Sequence, residues 1–341
     1  MNEALLAISL LWGFIFIYAI MATMDFGAGF WSMVYIQQNK TNATNIANRF
    51  LSPTWEVTNV FIVMVVVSFF ALFPGATYTL GTVLLIPGSI ILLLLSIRSA
   101  FLVFSHIAKR YERVLTYISG ITGFLIPAFL ICVLPISQGN FIDLINGTER
   151  LNLLKVFTSP NVYSFIGLAI SSTLFLSSLL LADYSKASDD LNAYKIYRRD
   201  ALIVGPIVLL TAFLILFTMR SEAPWLYANI WKLKAWLIGS VLMFLLAGVA
   251  LFLPTKKTIG MPRLAVVATV LQYFLASYAY GRAHLPYVIF PNVTIESAFT
   301  HPNTFRALFF SYIVGFVILF PGFVYFWKLF MQDRNYLKKK I

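Results

Sequence analysis

The chain has 341 residues, of which 60% are hydrophobic and only 11% are charged. A soluble domain has roughly 25% charged residues, so this composition excludes a soluble globular protein and predicts an all-α polytopic membrane protein. The net charge of +12 comes from basic residues dispersed among the polar connections. That distribution favours topogenic signals and attraction to anionic lipid headgroups over nucleic-acid binding.

Nine apolar runs are long enough to cross about 30 Å of hydrocarbon as helices. They cover approximately residues 4–36, 54–73, 76–104, 114–138, 160–182, 201–219, 235–254, 262–280 and 305–330. The segment Phe73-Pro74-Gly75 predicts a tight turn between the second and third spans. We expect two units, residues 1–138 with spans one to four and residues 139–341 with spans five to nine. They would form two four-helix bundles plus one extra, peripheral helix.

The distribution of positive charge predicts the orientation of the nine spans. With the N-terminus outside, the outer connections hold only seven of the 25 basic residues, namely Arg150, Lys155, Arg220, Lys232, Lys234, Arg282 and Arg306. The inner side holds the rest, among which we count Arg98. Because positively charged loops stay in the cytoplasm, we predict the N-terminus outside and the C-terminus inside. In the long outer segment 281–304, proline and apolar residues predict packing against the bundle or a partner.

Only two of the 13 carboxylates, Asp25 and Glu56, are expected in or against the long apolar spans. An ionisable group in lipid is costly unless it faces protein or a wet cavity, so each is a functional-site candidate. Asp25 comes about 30 Å along the first helix and Glu56 begins the second. Both are therefore expected in the cytoplasmic half of the membrane, where they could line one path inward from the cytoplasm.

The neighbours of the two acids suggest their roles and their alternatives. Gly27 and Gly29 allow a helix or cofactor to approach closely, but Asp25 could also pair with a basic residue purely to hold the bundle. After Trp55 and Glu56, a hydroxyl and an amide follow within one helical turn, and such groups can relay protons with water; they are Thr58 and Asn59. For Glu56, the helix dipole alone is the structural alternative.

No pattern in the chain predicts a metal or haem site. Haem in a membrane bundle is usually held by inward-facing His or Met side chains. We expect His106 near the inner end of the third span and His284 and His301 in the outer connection, so that no histidine lies in the middle of a span. The chain is therefore expected to ligate no haem, and its single cysteine, Cys132, forms no zinc pattern.

Three segments resemble subunit II of cytochrome bd-type quinol oxidases. They are Asp25-Phe26-Gly27-Ala28-Gly29, Trp55-Glu56 and the proline-rich Pro286-Tyr287-Val288-Ile289-Phe290-Pro291. The length, the nine spans and the outside N-terminus also fit, so the resemblance extends along the whole chain. It implies a heterodimer with a haem-bearing subunit I that holds haems b and d, with a small single-helix accessory subunit as a further candidate partner. Quinone or lipid is a candidate ligand of this chain.

By this resemblance, the complex oxidises a quinol and reduces dioxygen to water in the bacterial cytoplasmic membrane. Asp25 and Glu56 are then candidates for proton conduction, and this chain alone is not expected to be catalytic. Two alternatives stay open. One is a proton-coupled secondary transporter, although neither inverted repeats nor broken helices are evident in the sequence. The other is a purely structural subunit that shields the haems of its partner from lipid.

Overall fold

A computed structural model describes residues 3–37, 42–105, 111–145, 148–254 and 259–328; within these ranges the side chains at 49, 51–56, 104, 105, 112, 145, 148, 323, 326 and 327 are not described. The elements are α1 (Glu3–Tyr35), α2 (Ala43–Leu72), α3 (Pro74–Val83), α4 (Leu85–Ser105), α5 (Glu112–Ile131), α6 (Val133–Ser137), β1 (Ile142–Ile145), β2 (Thr148–Leu151), α7 (Leu153–Thr158), α8 (Pro160–Ala187), α9 (Leu191–Glu222), α10 (Pro224–Lys232), α11 (Lys234–Ala250), α12 (Pro262–His284), β3 (Tyr287–Ile289), β4 (Val293–Thr294), α13 (Ile295–Ala298) and α14 (Pro302–Trp327).

Within the described ranges, seven helices are long and apolar enough to cross a membrane. Two further pairs of helices are bent at a break, and counting each pair as one span raises the number to nine. The expected helical membrane protein is therefore confirmed, while the count of nine spans and the outside N-terminus stay predictions. The strands pair β1 with β2 and β3 with β4, both antiparallel, in two small sheets between helices.

The chain turns sharply where the sequence predicts the break between the second and third spans. The end of α2 and the following α3 are bent by 118° on either side of Phe73. The predicted single helix over 76–104 is wrong, because the chain breaks again at Leu84 between α3 and α4. The ten residues of α3 rise only about 15 Å, so this helix is too short to cross a membrane.

The connection before the seventh predicted span also folds differently from expectation. Residues expected as an outer loop form α10, which is bent by 78° from α11. Pro224 at the start of α10 fits the preference of proline for the first turn of a helix, and Leu233 separates the two helices. Lys232 is the last residue of α10.

The largest core joins both halves of the chain. It contains buried residues of α1, α2, α8, α9, α11 and α12, such as Trp31, Ala47, Leu179, Tyr197 and Ala250. Small side chains allow membrane helices to approach closely, and several core alanines are fully buried: Ala47, Ala182, Ala193, Ala201, Ala247 and Ala250. The division into units 1–138 and 139–341 stays a prediction, since α1 packs directly against α8 across it.

The proline-rich segment 286–291 packs on the helix bundle. The backbone N–H of Phe290 donates to the carbonyl of Ser137 at 2.9 Å, and the Phe290 ring stacks on Trp225 with 4.3 Å between centroids. Gly139 makes this contact possible: its φ is +96°, and a Cβ there would lie 2.1 Å from the carbonyl oxygen of Phe290. Only glycine suits both that conformation and that space.

Candidate functional site

Asp25 is buried in the bundle and paired with Arg98. The Arg98 Nη2 atom lies 3.1 Å from Asp25 Oδ1, and Nε lies 3.3 Å from Oδ2. The two residues are only 4% and 2% exposed. Arg98 belongs to the interior of α4, so its assignment to an inner connection was wrong. Of the two expectations for Asp25, this geometry favours the one in which a basic residue of an adjacent helix pairs with it.

Arg98 satisfies its whole hydrogen-bonding capacity inside the protein. A guanidinium has five N–H donors, and five acceptor contacts surround this one. In addition to the two carboxylate contacts, Nη2 donates to the Asp25 carbonyl at 2.8 Å, while Nη1 donates to the carbonyl and, at 3.0 Å, to the hydroxyl of Ser119. The guanidinium carbon also lies 5.3 Å from the centroid of the Phe26 ring. Arg98 therefore joins α1, α4 and α5 at one point.

Glycines make room for this cluster and for the packing of α1 on α8. A Cβ at Gly29 would lie 2.8 Å from the Ser119 hydroxyl and 3.0 Å from both terminal nitrogens of Arg98. A Cβ at Gly27 would lie 2.1 Å from Ser177 Oγ. Gly29 follows Asp25 by one helical turn and shares its face. Asp25 thus provides the negative charge that pairs with Arg98, and Gly29, one turn later, leaves the space that the guanidinium occupies.

Tyr18 of α1 and Thr58 of α2 lie near the part of α1 that contains Asp25. The Thr58 hydroxyl is buried and donates to the carbonyl of Met21 at 3.4 Å, one turn before Asp25. Tyr18 lies two turns before Asp25, and its buried hydroxyl has no hydrogen-bond partner in the part of the chain that the structure describes. The sequence analysis missed Tyr18, although its spacing of seven residues from Asp25 places both on one helix face.

The remaining predicted residues of the second helix are only partly placed. Asn59 is half-buried on α2, one residue after Thr58. The side chains of Trp55 and Glu56 lie outside the described residues, so the structure does not place Glu56 relative to Asp25.

A second buried carboxylate, Asp200 of α9, lies beside Tyr35 at the end of α1. It is 5% exposed, accepts a hydrogen bond from the Tyr35 hydroxyl and pairs with Arg199 at 3.0 Å. Arg199 Nη2 also donates to the Tyr35 hydroxyl at 3.1 Å. Asp25 and Tyr35 are ten residues apart on α1, about 15 Å along its axis. The same helix therefore holds two separate ionic clusters.

The expectation that only Asp25 and Glu56 lie in or against the long apolar spans was wrong. Asp200 and Asp183 both lie within long helices, because α9 begins at Leu191 and α8 continues to Ala187. Helical periodicity could have revealed Asp200, since Tyr197, Asp200 and Val204 are all buried and lie on one face of α9. Arg98 had a simpler signal, because apolar residues flank it on both sides.

The histidines that the structure describes have ordinary structural partners. His284 ends α12, with Nε2 3.3 Å from the Ser137 hydroxyl and Nδ1 2.9 Å from the Tyr287 carbonyl. His301 caps α14 by accepting from the N–H of Asn303 at 3.3 Å. His106 lies outside the described residues. Across the described ranges, no group of three or more His, Cys, Asp or Glu side chains could hold a metal ion.

Comparison with known proteins identifies the class to which this fold belongs. The family model described as cytochrome bd terminal oxidase subunit II matches residues 3–330. A curated relative from Bacillus subtilis (strain 168), described as a putative cytochrome bd menaquinol oxidase subunit II, is 63% identical over 342 residues, which cover 99% of each chain. The solved bd oxidase from Geobacillus thermodenitrificans is similar with a TM-score of 0.83 and 35% identity, over 98% of this chain and 100% of that one.

The chain belongs to the cytochrome bd terminal oxidase subunit II family. It is a multi-pass protein of the bacterial cytoplasmic membrane and a subunit of a respiratory-chain oxidase, which implies a complex with subunit I. The resemblance identified from the three sequence segments is thereby confirmed.

Proposed function

We propose that this chain is the non-haem subunit of a bd-type quinol:oxygen oxidoreductase and that it supports a haem-bearing subunit I. The similarity to subunit II proteins over almost the whole chain carries this proposal. The description of the 63% identical relative as a putative menaquinol oxidase subunit supports menaquinol as the quinol. Haems b and d belong to the partner and supply the redox chemistry. The contribution of this chain is to cover its partner within the membrane and to hold polar groups in its interior.

Purification tests the subunit assignment. The chain should co-purify with a second large membrane protein, and the complex should show haem absorption and consume oxygen when a quinol is added. A colourless protein that is stable without a second large chain would contradict the proposal. That result would favour the proton-coupled transporter, for which neither the family match nor the fold similarity provides support.

We further propose that α1 and the start of α2 contribute to proton uptake from the cytoplasm, since reduction of dioxygen to water consumes protons. Asp25 and Glu56 are the ionisable candidates, with Thr58 and Asn59 as polar neighbours. The Tyr18 hydroxyl, on the face of Asp25 and without a hydrogen-bond partner among the described residues, supports a polar route along α1. The Arg98 pair limits the role of Asp25, because protonating its carboxylate would break an ion pair and leave the guanidinium charge uncompensated.

This pairing predicts different effects for the two acids. Asp25→Asn should lower assembly and haem content, because it weakens the junction of α1, α4 and α5. Glu56→Gln should leave haem content unchanged and lower the rate of oxygen consumption. Glu149→Gln, in the hairpin strand β2, is the matched control and should change neither. If both test variants assemble with full haem content and turn over at the wild-type rate, the proton role is wrong and the subunit assignment stands.

A further inference from the structure

A cavity of about 340 Å³ lies between the ends of α10 and α12, far along the chain from the Asp25 cluster. Its walls include Asn229, Lys232, Leu233, Arg282, Leu285 and Pro286. The bend of 78° between α10 and α11 opens this space, because α10 turns away from the axis of the helix that follows it. Nothing in the subunit assignment gives this cavity a role.

Two cationic side chains border the cavity, and none of the described residues that line it is a carboxylate. Lys232 Nζ donates to Asn229 Oδ1 at 2.9 Å, while Asn229 Nδ2 donates to the Ala283 carbonyl at 3.3 Å. Asn229 therefore ties α10 to α12 and orients the ammonium, which has further N–H donors available. Arg282 is exposed and makes no hydrogen bond or ion pair with the described part of the chain. The charges of this cavity are thus uncompensated and favour an anion.

Large apolar side chains are exposed on the residues that adjoin and follow the cavity lining along the chain. Trp231 directly precedes Lys232 and is 48% exposed, and Trp236 near the start of α11 is 40% exposed. Farther along α11, Ile238 and Leu242 are exposed as well. Tryptophan is enriched at the level of lipid headgroups, so this end of α10 and α11 has the polarity of a membrane interface. A ligand with an anionic head and an apolar tail matches both the cationic cavity and the exposed apolar residues of α10 and α11.

We propose that this cavity binds the phosphate of an anionic phospholipid, with the acyl chains against the exposed apolar residues of α11. Arg282 can bind phosphate oxygens bidentately, and Lys232 acts as a compact point charge. Asn229 positions Lys232. The proposal concerns only this end of the bundle and is independent of the proton role of Asp25 and Glu56.

Lipid titration of the purified, assembled complex tests the site. The complex in detergent is titrated with phosphatidylglycerol, phosphatidylcholine or inorganic phosphate, and bound molecules are counted by native mass spectrometry. The wild type should retain phosphatidylglycerol in preference to phosphatidylcholine. The double variant Lys232→Gln/Arg282→Gln should bind phosphatidylglycerol about 30-fold more weakly, since each cation near the surface contributes about a factor of five.

Lys234→Gln is the matched control, because Lys234 is an exposed cation of the same region that does not line the cavity. It should bind like the wild type. Equal binding by wild type and double variant, or equal binding of the two lipids, would overturn the proposal. Binding of inorganic phosphate without binding of phosphatidylglycerol would exclude the lipid as source and also overturn it. If the double variant does not assemble, each single variant should bind phosphatidylglycerol about fivefold more weakly than the wild type. An unchanged affinity in both single variants would then overturn the proposal.

Discussion

The Asp25 carboxylate and the Arg98 guanidinium lie 3.1 Å apart in the interior of the bundle, with their side chains 6% and 2% exposed. A buried ion pair is weak evidence for stability as such, because two charges lose their hydration when they are buried. Removing one partner is different, since the remaining charge stays buried without compensation. The pairing of Asp25 with Arg98 therefore predicts that a single substitution lowers stability much more than replacement of both residues by apolar ones.

Arg98→Met should destabilise the complex by about 3–5 kcal/mol, because Asp25 is left without its ionic partner. The double variant Asp25→Leu/Arg98→Met should recover much of this loss. Thermal unfolding and haem content of the purified complex measure both effects. Arg220→Met is the control, since Arg220 is exposed near the end of α9. A double variant that is less stable than Arg98→Met would show that the two charges do not act as a pair.

Gly27→Ala should destabilise the chain by about 1–3 kcal/mol, because the new methyl group meets Ser177 on α8. Gly13→Ala, on the same helix, meets no atom within 4 Å. It should change stability by no more than about 1 kcal/mol, in the stabilising direction, since alanine favours helix over glycine. The melting temperatures of the two variants make the comparison.

Ser177→Gly offers a second test of the same contact. It removes the two nearest atoms that a Cβ at Gly27 would meet and leaves the Thr173 carbonyl oxygen at 3.0 Å, although it also removes the nearer acceptor of the Trp31 indole N–H, at 3.0 Å. Combined with Gly27→Ala, it should give a loss smaller than the sum of the two single losses, as expected for residues in contact. Strict additivity would place the strain of Gly27→Ala elsewhere.

Tyr35→Phe should destabilise the chain by about 1–3 kcal/mol, because Asp200 loses a buried hydrogen bond to its charged carboxylate. Arg199 stays available to Asp200, so the loss should be smaller than that of Arg98→Met. Tyr78→Phe provides the control, since Tyr78 is 74% exposed. Equal melting temperatures for Tyr35→Phe and Tyr78→Phe would contradict a stabilising role for the Tyr35 hydroxyl.

The hairpin formed by β1 and β2 predicts a small dependence of stability on pH. Hydrogen bonds from Lys155, at 2.8 Å, and from Asn152 lower the pKa of Asp143 below its usual value. A carboxyl whose pKa is lowered by folding stabilises the folded state above its unfolded pKa, near 3.9, and loses this effect as pH falls through the folded pKa. The melting-temperature difference between wild type and Asp143→Asn should therefore be largest at neutral pH and shrink in acid. A difference that grows below pH 4 would contradict this assignment.

Much of the fold follows from composition and from the length of the apolar runs. Long uncharged segments predict the long helices, because a backbone in hydrocarbon must satisfy its hydrogen bonds internally. The turn at Phe73-Pro74-Gly75 was also predictable, since proline and glycine mark a break locally. The break at Leu84 was not predicted, because uncharged residues continue through it from α3 into α4. At Leu233, which lies between Lys232 and Lys234, the predicted loop is instead the helix α10, and no local signal predicts its packing against α12.

The sequence by itself determined that the chain is a helical membrane protein and that Asp25 needs a protein partner, because an isolated charge in an apolar helix is too costly. Only the tertiary structure decided which partner that is. Arg98 is 73 residues away along the chain, and no local rule selects it over the other basic residues. The same holds for Asp200. Its charged neighbours Arg198 and Arg199 predict a loop from the sequence, but in the structure this part of α9 packs against α1, and the Asp200 carboxylate is buried against Tyr35.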